Sequence, residues 1–452
     1  MADVNKLTFT VRALGCKANQ YEQDVIAAQL RELGMTQVEN DADVFVLNTC
    51  TVTAEAGRKS RQILRRLKKE NPQAIAIAMG CESEVNDLSA WADICIGTTK
   101  RNSIAQKLVL LLAERGLASN ISAEARLFAY RLSEPEQAGS RTNIYEEPGV
   151  VVVPSDTRAQ LKICDGCNNR CTYCAICLAR GPVRSRDLDS IVEEANNFAR
   201  QGFREIVLTG IEICSYGDDL TEAGIDLSTV LTELNKISGL SRIRLASLDP
   251  ARVSQKFIDK ISQLEKLCAH FHLSLQSGSN MVLRRMGRKY DTERFRKIVK
   301  ALRGIWPTVG LTTDVICGFP GETDEEHQKS YQFCHEMSFS KIHVFPYSRR
   351  PGTAAASFGG QVPRSLIRQR SLEMSALSQQ LAAEYCQSRI GDTAGVLLER
   401  ELSPGIGEGY TETYMPCIFK LPLSAEKTAR IGDIFRVKLE SCQDGVAYGT
   451  GT

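Results

Sequence analysis

Short apolar runs at 8–14, 44–48, 74–79 and 94–97 alternate with stretches of helical periodicity, notably 21–33 and 55–69. That alternation predicts a parallel sheet with helices on both faces. Periodicity fades between about 118 and 158, where 133–139 and 146–149 are loop-like and 150–153 is a candidate short strand. A second series follows, with strands at 161–163, 205–210, 242–247, 272–278, 311–322 (this one ending in a turn) and 341–345 and a helix at 188–201. Repeats of this kind predict a parallel partial barrel. Beyond about 391 the pattern changes to the period-two alternation of antiparallel strands at 394–399, 409–414 and 433–439. Gly405, Gly407, Gly432 and Gly445 mark turns there. The expected architecture is α/β, with an open-sheet domain over 1–118, a linker over 119–157, a partial (β/α) barrel over 158–385 and a small β domain over 386–452.

The length of 452 residues agrees with about three domains. With 43% hydrophobic and 24% charged residues, the composition is that of a water-soluble globular chain. No apolar run reaches the roughly 18 residues that a bilayer span requires. The first residues lack the basic-then-apolar order of a signal peptide, so the cytoplasm is the expected compartment. In a reducing compartment, 16 cysteines argue for metal or redox chemistry over disulfides. A net charge of +2 confines any nucleic-acid surface to a local patch.

A cysteine follows each of the first three strands: Cys16, Cys50 and Cys81. Parallel strands bring their carboxyl ends to one edge, where ligands bind in such folds. A lone buried cysteine after a strand is usually a small core residue, but three at equivalent strand ends fit a four-iron cube with one iron left open. Gly15 and Gly80 allow close approach of the backbone there. The second set is Cys167-Asn168-Asn169-Arg170-Cys171-Thr172-Tyr173-Cys174. Its Cys-x-x-x-Cys-x-x-Cys spacing again supplies three thiolates, and an open iron accepts a small chelating cofactor. A structural zinc knuckle is the alternative use of such cysteines.

The second spacing resembles the signature of the radical S-adenosylmethionine (SAM) enzymes. The resemblance implies that SAM chelates the open iron and is cleaved to a 5′-deoxyadenosyl radical. Gly210 then corresponds to the place where this superfamily binds the amino group of SAM. Ser247, Ser274, Gln276 and Asp314 are polar strand-end residues that would face the open rim, and Gly210, Ser247, Gln276 and Asp314 are the candidate SAM contacts.

The whole chain resembles the methylthiotransferases. Three features carry this: the first cysteine set, the run Asp314-Val315-Ile316-Cys317-Gly318-Phe319-Pro320-Gly321-Glu322-Thr323, and His343-Val344-Phe345-Pro346-Tyr347-Ser348-Arg349-Arg350-Pro351-Gly352-Thr353. Around the first cysteine, Gly15-Cys16-Lys17-Ala18-Asn19-Gln20-Tyr21-Glu22 resembles the branch acting on N6-threonylcarbamoyladenosine in tRNA. The isopentenyladenosine branch carries Gln-Met after that cysteine, and the branch acting on a ribosomal protein carries Pro-Lys. Departures are Cys164 where Gln is common, Cys177 where Pro is common, Cys317 for Val, and Ile211-Glu212-Ile213-Cys214 for Val-His-Leu-Gly. Neither Cys164 nor Cys177 is needed to complete a three-ligand set.

The resemblance implies two [4Fe-4S] clusters, on Cys16, Cys50 and Cys81 and on Cys167, Cys171 and Cys174. It also implies SAM as methyl donor and radical source, and insertion of a methylthio group at C2 of the modified adenosine beside the anticodon, position 37. Adenine C2–H is neither acidic nor electrophilic, so the cofactor carries the hard step. Implied partners are the tRNA anticodon stem-loop and a flavodoxin- or ferredoxin-like electron donor, with the enzyme a monomer. The last segment resembles the β-barrel TRAM domain, in which Tyr410 and Tyr414 would stack on bases. Two basic regions are candidate phosphate surfaces or ordinary solvated faces. One is the stripe Arg58, Arg61, Arg65 and Lys69. The other is Arg284, Arg285, Arg288, Lys289, Arg294, Arg296, Lys297, Lys300 and Arg303, with Arg349 and Arg350. The isopentenyladenosine methylthiotransferase and a non-catalytic iron-sulfur RNA-binding sensor are the rival readings.

Overall fold

The computed structural model describes residues 6–51, 53–133, 144–220, 224–422 and 428–452. Most of the loop-like 133–139 stretch lies outside them. The chain divides into two compact units. The first comprises Met1–Ser155, Lys162–Asn169 and Cys174–Glu194; the second comprises Asp156–Leu161, Arg170–Tyr173 and Ala195–Thr452.

In the first unit the order is β1 (Thr8–Ala13), α1 (Lys17–Glu32), β2 (Thr36–Gln37), β3 (Val44–Thr49), α2 (Ala54–Glu70), β4 (Ile75–Gly80), α3 (Cys81–Val85), β5 (Ile94–Ile96), α4 (Ser103–Glu114) and α5 (Ala123–Ser133). The strands form one parallel sheet in the order β2-β1-β3-β4-β5. Successive side chains of a strand point to opposite faces. Val44, Val46, Ile75 and Ile77 accordingly join the core under α1, α4 and α5, while Phe45, Leu47, Ala76 and Ala78 pack with Leu64 of α2. Helix α5 falls inside the range expected as linker. Its Ala125 and Ala129 are buried in the first of these cores, so this part of the chain is packed structure. Residues 150–153 form no strand.

The chain continues through β6 (Ala159–Lys162), β7 (Cys164–Asp165), α6 (Ile176–Arg180), β8 (Arg184–Ser185) and α7 (Leu188–Arg200). The second unit then adds β9 (Glu205–Thr209), α8 (Leu227–Asn235), β10 (Arg242–Leu245), β11 (Ser247–Leu248), α9 (Gln255–Ile261), β12 (His270–Gln276), α10 (Asn280–Arg285), α11 (Thr292–Ile305), β13 (Gly310–Cys317), α12 (Asp324–Met337), β14 (Lys341–Pro346) and α13 (Arg364–Ser388). Its strands form two sheets, β10-β9-β6 and the parallel β11-β12-β13-β14. The β strands β15 (Thr393–Ser403), β16 (Ile406–Thr411), β17 (Pro416–Lys420), β18 (Ile434–Gln443) and β19 (Val446–Gly451) close into a barrel. Of these, β17 and β19 lack a strong apolar alternation and escaped the sequence reading.

Helix α13 carries the barrel. Its Ser378 hydroxyl accepts from Ile342 N and donates to Ile342 O, both at 2.9 Å, while Cys386 at its far end lies in the barrel core. The turn after β16 docks against the amino-terminal ends of the parallel strands. Arg244, fully buried, pairs with Glu205 at 2.7 Å and donates to the carbonyls of Glu412 (3.0 Å) and Thr411 (3.2 Å). Removing one partner of a buried pair costs ~3–5 kcal/mol. Tyr410 and Tyr414 take part here. Their rings stack at 4.8 Å, Arg158 lies over both, and Tyr414 also meets Arg244 and, at 4.9 Å, His270. Both rings stay partly exposed, so these contacts restrict the expected stacking on bases without removing it.

A Cβ at Gly310 would collide with the Thr413 carbonyl of that docked turn, whereas Gly304 on α11 has nothing within 4 Å. Gly310→Ala should therefore destabilise by ~1–3 kcal/mol through overpacking. Gly304→Ala should be neutral or stabilising by up to ~1 kcal/mol. Thermal denaturation of the two variants beside the parent measures the contrast.

Candidate metal centres

Register places the three first-set cysteines together. Ala13 pairs with Asn48, Asn48 with Met79, and Thr49 with Gly80, so β1, β3 and β4 end side by side. Cys16 is the N-cap residue of α1, Cys50 directly follows β3, and Cys81 opens α3. Gly15 (φ +99°) is where Cys16 and Cys50 approach: a Cβ on it would lie 2.5 Å from the Cys50 sulfur. Gly80 (φ +95°) turns the chain into α3, and a Cβ there would strike the Asn48 amide oxygen. Both positions need glycine for conformation and for space.

Behind these thiols lies a buried charge network that composition and spacing do not reveal. Arg180, at the end of α6 and 1% exposed, donates from Nε to the Cys81 sulfur at 3.1 Å. Its Nη1 reaches Glu22 at 2.7 Å and Asp165 at 3.0 Å, and its Nη2 donates to the Asn19 amide oxygen at 2.7 Å. Lys162 contacts the same Glu22 and Asp165, each at 2.6 Å, and Arg101 reaches them at 3.3 and 3.2 Å. Arg184 lies 3.7 Å from Asp165. Burial pushes the Glu22 and Asp165 carboxyls up, but Arg101, Arg180 and Lys162 prevail and hold both well below the usual range. Burial raises the Cys81 thiol, with Arg180 opposing.

Four cations thus face two buried carboxylates, with Glu146 reaching Arg101 at 3.7 Å, and an anionic cluster held by these thiols would offset the remaining positive charge. Among the described residues, no three His, Cys, Asp or Glu side chains converge tightly enough to hold a single metal ion. A cluster, which takes one thiolate on each of several irons, is the metal group that suits an all-cysteine set.

In the second set, Cys167 and Cys174 belong to the first unit. The Cys167 amide donates to Gly181 O at 3.0 Å, its sulfur accepts from Asn169 N at 3.4 Å, and Cys174 lies just before α6. Cys171 belongs to the second unit, where its sulfur accepts from Arg288 Nη1 at 3.2 Å. Arg288 in turn pairs with Asp249 at 3.0 Å and donates to the Tyr290 hydroxyl at 3.1 Å. Thr172 is fixed to the carboxyl end of α10 through Met286 O (3.0 Å) and Arg285 O (2.8 Å), and Tyr173 packs on Met286 and Phe319. Nearby, the Glu212 carboxyl is pushed up to about 7 by burial and the Asp249 charge.

The remaining candidates line the parallel sheets. Gly210 directly follows β9. Ser247 opens β11, is exposed, and pairs in register with His272. Asp314 on β13 meets His272 Nε2 at 3.2 Å. Gln276 ends β12 with φ +68°, the kind of backbone outlier that collects at ligand sites. His272 and His343, whose rings lie 5.6 Å apart, complete this polar face and were not singled out from sequence. Of the extra cysteines, Cys317 is buried, points to Arg370 O and is pushed up to about 12 by burial, while Cys177 contacts the Cys174 carbonyl. Glu322 of the 314–323 run accepts from Gly318 N at 3.0 Å and pairs with Arg370 at 2.8 Å, so that motif builds a turn.

Several residues of the second basic region make protein contacts while staying at the surface, and of its members only Arg350 is buried. Arg285 pairs with Glu326, Arg294 donates to carbonyls after β11, Arg296 pairs with Glu336, Arg303 donates to Met337 O and Ser338 O, and Arg350 is buried. Arg284, Lys289, Lys297 and Lys300 keep exposed side chains. On α2, Arg58 pairs with Glu55, Arg61 with Glu82, and Arg65 lies over Trp91. Both regions therefore keep exposed basic side chains beside these pairings.

Comparison with known proteins agrees with this geometry. A family model described as the radical SAM superfamily matches residues 161–334, and one described as Uncharacterized protein family UPF0004 matches residues 8–94. The threonylcarbamoyladenosine tRNA methylthiotransferase MtaB of Bacillus subtilis is 36% identical, over 98% of this chain and 96% of its own. The tRNA-2-methylthio-N(6)-dimethylallyladenosine synthase of the same organism is 32% identical, over 96% and 84%. Among solved structures, the radical SAM methyltransferase TsrM of Kitasatospora setae, crystallised with tryptophan and a SAM analogue, shares the fold with a TM-score of 0.52 at 15% identity, covering 89% of this chain and 78% of that one. The chain belongs to the radical SAM methylthiotransferase family.

Proposed function

We propose that the protein inserts a methylthio group at C2 of N6-threonylcarbamoyladenosine in tRNA, at position 37 beside the anticodon. The observation that carries this reading is the convergence of Cys16, Cys50 and Cys81 at adjacent strand ends, in a chain that also holds the Cys167, Cys171 and Cys174 spacing. The near full-length likeness to enzymes named for threonylcarbamoyladenosine supports the substrate. The 32% likeness to a dimethylallyladenosine enzyme makes that base the second reading.

Cys16, Cys50 and Cys81 would hold one [4Fe-4S] cluster, and Cys167, Cys171 and Cys174 the other. When bound, the clusters and SAM supply the methyl group, the sulfur chemistry and the carbon radical that removes the C2 hydrogen. The protein's own groups do the rest. Arg288 donates to the Cys171 sulfur and is itself held by Asp249 and Tyr290, which fixes the orientation of that ligand. Gly210, Ser247, Gln276 and Asp314 would bind SAM, with Asp314 oriented by His272. The target adenosine must leave its stack to reach the sheet's open end. Among the described residues no helix is long and apolar enough to cross a membrane. A cytoplasmic monomer reduced by a flavodoxin- or ferredoxin-like protein completes the reading.

Cys171→Ala is expected to reduce 5′-deoxyadenosine formation to background, and a normal rate would refute the ligand assignment. Cys50→Ala should keep SAM cleavage and lose the methylthio product; normal product would remove the first cluster from the reaction. Nucleoside mass spectrometry of tRNA from cells with and without the gene tests the substrate. Loss of methylthio-threonylcarbamoyladenosine with a rise in its precursor is expected. Loss of the isopentenyl counterpart would favour the second reading, and no change in either would favour a ribosomal-protein substrate or a sensor.

A further inference from the structure

Arg180 lies at the centre of the first unit's charge network, yet it belongs to neither cysteine set. It is the last residue of α6, which begins just after Cys174. Its guanidinium is fully used. Nε donates to the Cys81 sulfur at 3.1 Å, Nη1 reaches Glu22 at 2.7 Å and Asp165 at 3.0 Å, and Nη2 donates to Asn19 Oδ1 at 2.7 Å. These partners lead to the other two thiols. Asn19 Oδ1 is 3.6 Å from the Cys16 sulfur, and its Nδ2 donates to Leu14 O (2.7 Å) and Thr49 O (3.2 Å), just ahead of Cys16 and Cys50. Glu22 accepts from Asn48 Nδ2 at 3.1 Å, at the end of β3. The helix itself is pinned to the sheet by Thr98, whose hydroxyl donates to Ala179 O at 2.6 Å.

We propose that Arg180 is a positioning residue for the cluster held by Cys16, Cys50 and Cys81, donating a charged hydrogen bond to its Cys81 sulfur and raising its reduction potential. The inference rests on the assignment of those three ligands. Two physical arguments carry it. Hydrogen bonds to cluster sulfurs and the local net charge set the potential of an iron-sulfur centre. A fixed cation beside the sulfur favours the reduced state, which holds one more negative charge. A planar guanidinium can also serve a sulfur, two carboxylates and an amide at once, which a lysine ammonium cannot do in one geometry. Asp165, two residues before Cys167, and Arg180 pair within the first unit, so the same side chain that meets Cys81 also holds Asp165.

The test uses the full-length protein with Cys167, Cys171 and Cys174 replaced by Ala, so that the first cluster is observed alone. Its potential is measured by EPR-monitored redox titration, with and without Arg180→Lys. The expected result is a folded, iron-loaded variant with a more negative potential and an altered EPR line shape. An unchanged potential and line shape at full iron content would overturn the inference. Should Arg180→Lys fail to fold or load, the unmutated single-cluster protein grown with isotope-labelled arginine decides. A hyperfine coupling from an arginine nitrogen to the reduced cluster supports the contact, and its absence overturns it. Cys81→Ala separates the two claims. Full iron content in that variant would overturn the ligand assignment itself, whereas iron loss there with no Arg180 effect overturns only the role of Arg180.

Discussion

A parallel sheet delivers the carboxyl end of every strand to the same edge, and the first unit depends on that constraint. Because β1, β3 and β4 are neighbours in register, Cys16, Cys50 and Cys81 are adjacent although they are far apart in sequence. Bringing three thiols to one edge, with Cys50 and Cys81 buried and Cys16 exposed, has an electrostatic consequence. The interior beneath them holds Arg101, Lys162, Arg180 and Arg184 against the buried Glu22 and Asp165, with Glu146 also reaching Arg101 at 3.7 Å. Leaving such an excess of buried cations without a counter-charge is unfavourable by several kcal/mol per ion after relaxation. An anionic cluster at the strand ends would reduce the imbalance, which links the proposed cluster to the fold of this unit.

The second unit applies the same geometry to a different end. Its parallel strands carry a polar face of Ser247, His272, Asp314 and His343, while their amino-terminal side is sealed by the turn after β16 through Arg244, Tyr414 and His270. One side is therefore closed by packing and the other left for chemistry, which is the usual division in α/β folds.

Much of this was legible in the sequence because it rests on local periodicity. Four of the five strands of the first sheet, the cysteines that follow three of them and much of the strand series of the second unit are readable from short apolar runs, whereas β2 is two exposed polar residues. What escaped depended on long-range pairing. Arg180 reads as an ordinary residue of a short helix, and only the fold sets it against Cys81 and Glu22. Helix α5 was read as linker because its stripe is weak, with small Ala125 and Ala129 making the buried contact. Tyr410 and Tyr414 read as base platforms since aromatic residues on a small barrel commonly are; their partial cover, Arg158 and Arg244, comes from distant segments. The basic run on α11 also makes contacts that local pattern does not show: Arg296 pairs with Glu336, and Arg294 and Arg303 donate to carbonyls of neighbouring elements.

The central claim is that two cysteine sets in one chain place a methylthio group on threonylcarbamoyladenosine. Its most direct test is an anaerobic reaction of the iron-loaded protein with SAM, a reductant and an equal mixture of two anticodon stem-loops, one carrying threonylcarbamoyladenosine and the other isopentenyladenosine. Mass spectrometry of each RNA reads the outcome. The account predicts the mass gain of a methylthio group on the threonylcarbamoyl RNA alone, accompanied by 5′-deoxyadenosine and S-adenosylhomocysteine. Gain on the isopentenyl RNA instead, or SAM cleavage with neither RNA changed, would contradict it.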